Sequence, residues 1–124
     1  MGKVLIVDDE SAVLGVLRRY LGMKGFQTLE AETGEKALQL LASEQVSTVL
    51  LDMHLNNVRG LELLGRFLAS QPMLKVILMS GSEDEEQIKS AVAQGAYGYI
   101  RKPFDFSELE ALLKKSRESS GGSV

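Results

Sequence analysis

Five times along this 124-residue chain, a short apolar, β-branched run is followed by a longer segment with helical periodicity. The runs are Lys3 to Val7, Phe26 to Ala31, Thr48 to Leu51, Lys75 to Met79 and Tyr97 to Ile100, each of strand length. A strand joined through a helix to a parallel neighbour crosses over right-handedly. Five such units in strict order therefore leave few alternatives to an open parallel sheet with helices on both faces. The expected architecture is a three-layer α/β sandwich. Val4 to Val7 and Thr48 to Leu51 read as continuous apolar runs without alternation, as strands buried on both faces should.

The intervening segments carry stripes suited to covering such a sheet. Val13, Val16, Leu17, Tyr20 and Leu21 recur at i, i+3, i+4, i+7 and i+8. Ala37, Leu40 and Leu41, then Leu61, Leu64 and Leu68, and finally Phe106, Leu109, Leu112 and Leu113 do the same. The fourth stripe, Ile88, Ala91 and Val92, is the narrowest. Ser82 with Glu85 and Asp105 with Glu108 have capping-box spacing, while Gly25 and Gly95 sit where a helix would end in a left-handed residue. Met53, Met73 and Met79 are expected as core or gap-filling residues. After Lys115 the sequence SRESSGGSV loses apolar content, so residues 117–124 read as a flexible tail or linker remnant and residues 1–116 as the domain.

Composition removes several functions. Hydrophobic content of 44% supports one real core, and 14 basic against 17 acidic side chains give a net charge of -3, with no bulk drive toward nucleic acid. The absence of cysteine excludes disulfides and thiolate metal sites, and a lone histidine cannot build a zinc site. The first apolar run is too short for a signal peptide or a membrane span, which makes cytoplasmic the expected location.

In an open parallel sheet, ligands bind outside the carboxyl ends of the strands. Those ends carry Asp8, Asp9 and Glu10 after the first run, Asp52 after the third, Ser80 and Gly81 after the fourth, and Lys102 and Pro103 after the fifth. Taken singly, the acids could merely favour a helix N-terminus and Lys102 could be a solvated charge. Converging on one crevice, several carboxylates repel until one is protonated or a cation joins them. Oxygen ligands alone favour a hard divalent ion such as Mg²⁺. With a lysine and a hydroxyl donor beside it, a carboxylate can serve as nucleophile in phosphoryl transfer.

These residues sit in VLIVDDE (Val4 to Glu10), LLDMHLNNVRGLELL with Gly60 eight residues after Asp52, ILMSGS (Ile77 to Ser82) and GAYGYIRKPF (Gly95 to Phe104). In that order and spacing, from Lys3 to about Lys115, the chain resembles a receiver domain of a two-component response regulator. The resemblance implies a (βα)5 flavodoxin-like sandwich with strand order 2-1-3-4-5. It implies that Asp52 accepts phosphoryl from the phosphohistidine of a sensor histidine kinase or phosphotransfer protein. Asp8 or Asp9, with Asp52 and the backbone carbonyl of His54, would help bind Mg²⁺, while Lys102 and Ser80 would hold the phosphoryl group. The Lys102–Pro103 bond would be cis. Ser80 and Tyr99 occupy the positions that switch, and His54 and Ser82 those that tune phosphoaspartate lifetime. The output surface would be the fourth helix, fifth strand and fifth helix, including Tyr97, Tyr99, Lys89 and Lys114, and would serve a downstream effector domain or a homodimer. Catalysis would be confined to the domain's own phosphorylation and dephosphorylation.

Two departures stand out: Asn56 replaces a frequent proline, and Ser80 a commoner threonine. Three other readings compete. A haloacid-dehalogenase-like, Mg²⁺-dependent phosphatase also uses an aspartate nucleophile, but it needs a second aspartate where this chain has His54, and room for a cap. A flavin module would need a phosphate cradle where DDES presents carboxylates. A receiver-like interaction module that is never phosphorylated would have no use for the intact acidic set.

Overall fold

The structure, a computed structural model, describes residues 2–55, 58–81 and 85–121. Five strands form one parallel sheet: β1 (Lys3–Val7), β2 (Thr28–Ala31), β3 (Val46–Asp52), β4 (Lys75–Ser80) and β5 (Gly98–Arg101), ordered β2-β1-β3-β4-β5. The helices are α1 (Ser11–Met23), α2 (Gly34–Ser43), α3 (Gly60–Ser70), α4 (Glu85–Gln94) and α5 (Phe106–Gly121). A two-residue antiparallel ladder pairs His54–Leu55 with Val58–Arg59 after β3. The chain order reverses between β1 and β3, which opens the crevice above their carboxyl ends.

Alternate residues of the central strands feed two cores. Leu5, Val7, Val49, Leu51, Val76 and Leu78 pack with α2, α3 and Ala91 of α4. Ile6, Leu50, Ile77 and Met79 pack with Leu14, Leu17 and Leu21 of α1 and Leu109 and Leu113 of α5. The expected three-layer sandwich and its strand order are thus those of the protein. Gly25 (φ 87°) and Gly95 (φ 116°) end α1 and α4 in the left-handed region, where a Cβ would be strained. Asp105 caps α5 by accepting from the backbone N–H groups of Ser107 and Glu108 at 3.0 and 3.2 Å.

Four details depart from the sequence reading. Val16 and Val92 are half exposed, at 50% and 51%, because Leu14 with Leu17 and Leu21 sets the buried phase of α1, and Ile88 with Ala91 that of α4. Met53 and Met79 are buried, but Met73 is 88% exposed in the turn before β4. β3, β4 and β5 each run one residue past their apolar cores, to Asp52, Ser80 and Arg101, placing these residues on strand ends. Finally, α5 continues to Gly121. Polar contacts dock its extension: the buried Ser116 hydroxyl donates to the Leu113 carbonyl (2.7 Å) and meets Thr48 Oγ1 (3.3 Å), and Arg117 lies 4.2 Å from the Phe26 ring centroid. Residues 122–124 at the chain end, Asn56, and Ser82 with its proposed cap and tuning role lie outside the described residues.

Candidate functional site

β1 delivers the first acid. Val4 to Val7 are fully packed, so the strand exits the core at Asp8, itself 0% exposed, with Asp9 and Glu10 turning into solvent. Asp8 Oδ1 accepts the Glu10 N–H at 2.9 Å, which fixes its carboxylate. β3 delivers the second. Asp52 pairs with Met79 in the ladder, is 6% exposed, and accepts the His54 N–H on Oδ1 at 3.1 Å. The turn after it is kept tight by Gly60, whose N–H donates to the Met53 carbonyl at 2.9 Å. A Cβ on Gly60 would stand 2.9 Å from Met53 Cα, so only glycine fits eight residues after Asp52 without displacing backbone.

β5 and its exit deliver the cation. The Lys102 N–H donates to the Ser80 carbonyl at 2.8 Å, and the Lys102–Pro103 bond is cis. The ammonium lies 3.0 Å from Asp8 Oδ2, 3.6 Å from Asp52 Oδ2 and 3.8 Å from Glu10 Oε1. Carboxylate oxygens of Asp8, Asp9 and Asp52 fall within 4.8 Å of one another. Ser80 ends the neighbouring strand, one residue past Met79, the ladder partner of Asp52. Among the described residues its hydroxyl is a buried side-chain polar atom without a hydrogen-bond partner, an expensive condition unless a group arrives to accept from it.

The electrostatics follow from that crowding. Burial pushes the Asp52 carboxyl above its ordinary value, the His54 N–H and Lys102 pull against the rise, and the charges of Asp8 and Asp9 add to it. For Lys102, burial alone would lower the pKa. The hydrogen bond from Asp8 and the charges of Asp52, Asp8 and Glu10 outweigh it and hold the ammonium above its usual range. A cluster with one cation among four acids has capacity for more positive charge. Its all-oxygen donors, with exposed Asp9 open to water, fit a hard divalent ion of the Mg²⁺ kind.

The structure therefore brings Asp8, Asp9, Asp52, Ser80 and Lys102 together. His54 is exposed at the rim and joins the site through its backbone. Tyr99 stands apart on the edge strand with its side chain outward, 43% exposed, and the Arg101 guanidinium lies 5.9 Å from its ring centroid. Tyr97 is half-buried against the α1/α5 core, and Lys114 turns to Glu110 at 3.2 Å. Glu10, named among the strand-end acids but given no role there, reaches Lys102, and Arg101, which the sequence did not mark, bonds the Gly81 carbonyl and Glu85, both at 3.3 Å. Its place two residues after an edge-strand tyrosine and directly before Lys102 is the signal that could have marked Arg101.

Residues 4–114 match the family described as the response regulator receiver domain. The DNA-binding transcriptional regulator NtrC of Escherichia coli (strain K12) is 37% identical over 115 residues, which cover 93% of this chain and 24% of that protein. This chain thus spans about a quarter of the length of that relative. Sporulation initiation phosphotransferase F of Bacillus subtilis (strain 168) is 33% identical over 113 residues, 91% of each chain. The crystal structure of the receiver domain of NtrX from Brucella abortus superimposes with a TM-score of 0.89 at 30% identity, covering 94% of this chain and 98% of that one. A family match over nearly the whole core, on a sheet whose strand ends gather three aspartates, a serine and a lysine, leaves one assignment: the chain belongs to the response regulator receiver domain family.

Proposed function

We propose that Asp52 is the phosphoryl acceptor of this receiver domain and that Lys102 and Ser80 hold the transferred group. The observation that carries the reading is the pairing of a buried carboxylate within 3.6 Å of an ammonium with an unsatisfied buried hydroxyl on the adjacent strand. An Asp52 Oδ atom attacks phosphorus as the bond from phosphorus to the donor's histidine nitrogen breaks, and the imidazole leaves with the electron pair. Lys102 compensates charge gathering on the equatorial oxygens, and the Ser80 hydroxyl donates to one of them. Asp8, Asp9 and Asp52, with the His54 carbonyl, would hold Mg²⁺, which when bound supplies charge neutralisation to acids and phosphoryl oxygens alike.

Transfer adds a group of about -1.5 to -2 charge at one strand end, so an arrangement that brings Ser80 and Lys102 onto it gains stability over the resting one. Movement of Ser80 and Tyr99 would carry that shift to the face of α4, β5 and α5, for a fused effector domain or a second copy of the chain. The donor is a sensor histidine kinase or phosphotransfer protein. Among the described residues no helix is long and apolar enough to cross a membrane, and a cytoplasmic setting suits this role.

Incubation with Mg²⁺ and acetyl phosphate should add one phosphoryl mass, labile to hydroxylamine, to the parent and none to Asp52→Ala. Equal labelling of both would overturn the assignment. Multiple-turnover release of phosphate from a simple ester would favour the dehalogenase-like phosphatase instead.

A further inference from the structure

Arg101 is absorbed by none of the chemistry above, yet it makes three contacts at the boundary between the site and the edge of the sheet. One guanidinium nitrogen donates to the carbonyl of Gly81, the first residue past β4, at 3.3 Å. Another meets Glu85 Oε1, at the first turn of α4, also at 3.3 Å. The same group lies 5.9 Å from the centroid of the Tyr99 ring, its same-side neighbour on β5. The same side chains, with Ile88, Lys89 and Val92, line an open pocket of about 390 Å³ between β5 and α4. That volume exceeds a tyrosine side chain, and the ring stands beside it.

The geometry points to Arg101 as a latch: its guanidinium ties the Gly81 carbonyl and the start of α4 to β5, keeps Tyr99 outward, and so opposes the rearrangement that accompanies phosphoryl capture at Asp52. This rests on the phosphoryl-accepting reading above and adds a positioning residue to it. The main chain of Ser80 is pinned to β5 by the bond from the Lys102 N–H. A shift of the chain just past Ser80 toward a phosphoryl group would strain the bond from Arg101 to the Gly81 carbonyl. A turn of the Tyr99 ring away from its outward position would disturb its contact with the guanidinium. All three contacts are partly solvated, with Arg101 40% and Glu85 71% exposed at the side chain, which suits a device that must release cheaply.

The test uses the full chain, with Mg²⁺ and beryllofluoride as a phosphoryl mimic. Arg101→Gln and Glu85→Ala should each tighten beryllofluoride binding about fivefold, the scale of one exposed ion pair with a cation–π contact. The double variant should gain no more than either single one, and Arg101→Lys, which keeps the charge but not the two-pronged reach, should fall between. Tyr99 ring resonances of ligand-free Arg101→Gln should move toward those of the beryllofluoride-bound parent, a change that a purely structural loss would not produce. Unchanged or weakened binding in both single variants, or fully additive gains in the double, overturns the latch. Should Arg101→Gln fail to fold, Glu85→Ala opens the same contact from the other side. A parent that ignores beryllofluoride and takes no phosphoryl on Asp52 would instead strike the reading beneath it.

Discussion

The acidic half of the site and its cationic half rest on very different foundations. Asp8 follows β1 and Asp52 ends β3, central strands whose side chains from Val4 to Val7 and Val49 to Leu51 are at most 1% exposed. Ser80 ends the next strand outward, and Lys102 follows the edge strand β5, where Tyr99 is 43% exposed and α4 offers only Ile88 and Ala91 as buried residues. The proposed acceptor is therefore set in rigid packing, while the groups proposed to hold its phosphoryl lie toward the margin, where motion costs little. Had the acids been marginal too, a fixed attack geometry would be lost; had β5 and α4 been central, nothing could report the transfer.

The largest effect that could break this contrast comes from an apolar truncation on each side. Leu50→Ala, two residues before Asp52 on β3 and fully buried, should cost about 2–5 kcal/mol in urea unfolding. Val92→Ala, half exposed on α4, should stay within about 0.5 kcal/mol. Comparable losses would mean that the edge is as firmly built as the centre. Next comes Gly60→Ala. Its added methyl must displace Met53 backbone, for which about 1–3 kcal/mol is expected. Because Met53 follows Asp52, acetyl phosphate labelling should slow as well, a coupling that a distant surface change would not show.

How much of this was legible beforehand depended on where physics writes locally. β1 and β3 were readable because burial on both faces forces an unbroken apolar run, and Asp52 stood out as a charge directly after one. The same rule of strand ends marks Asp8, Ser80, Lys102 and Glu10, but the contact of Glu10 with Lys102 spans the fold and so is not written locally. The phase of α1 was misjudged at Val16 since Val13 and Leu14 can each start a stripe, and only the sheet beneath decides. Arg101 was invisible because its partners, Gly81 and Glu85, become neighbours only when β4 and β5 pair. The helix over residues 117–121, where the sequence reads as tail, is not marked by apolar periodicity, and its first residue, Arg117, packs on Phe26 through a cation rather than an apolar side chain.

A smaller effect tests the electrostatic side of the contrast. Burial raises the Asp52 pKa, so in metal-free buffer the native chain holds this proton over a range where the unfolded chain has released it. The group's stabilising contribution is then full below its ordinary value of 3.8 and is lost as pH rises through the folded value. At neutral pH the carboxylate is a net cost, and Asp52→Asn should melt higher than the parent by a few degrees, the gap closing as pH falls below about 4. Mg²⁺ should raise the parent's melting temperature and leave that of the variant nearly unchanged. A variant that melts lower at neutral pH would show that Lys102 more than compensates the buried charge.

The smallest expected effect concerns the far end of α5, a peripheral segment that packs like the centre at Ser116 and Arg117. Arg117 spreads over the Phe26 ring at 4.2 Å, and the preceding Ser116 is sealed against Thr48 of β3. Arg117→Ala should cost about 0.5–1 kcal/mol in thermal or urea unfolding, the value of a partly exposed cation–π contact, with beryllofluoride affinity unchanged. Thr48→Val should cost about 1 kcal/mol or more, since it leaves Ser116 Oγ with fewer partners inside the core. If both variants also altered beryllofluoride binding, α5 would be moving with the switch along its whole length. If stability alone responds, the C-terminal turns of α5 are a fixed post, and movement transmitted from Asp52 must be confined to β5, α4 and the first turns of α5.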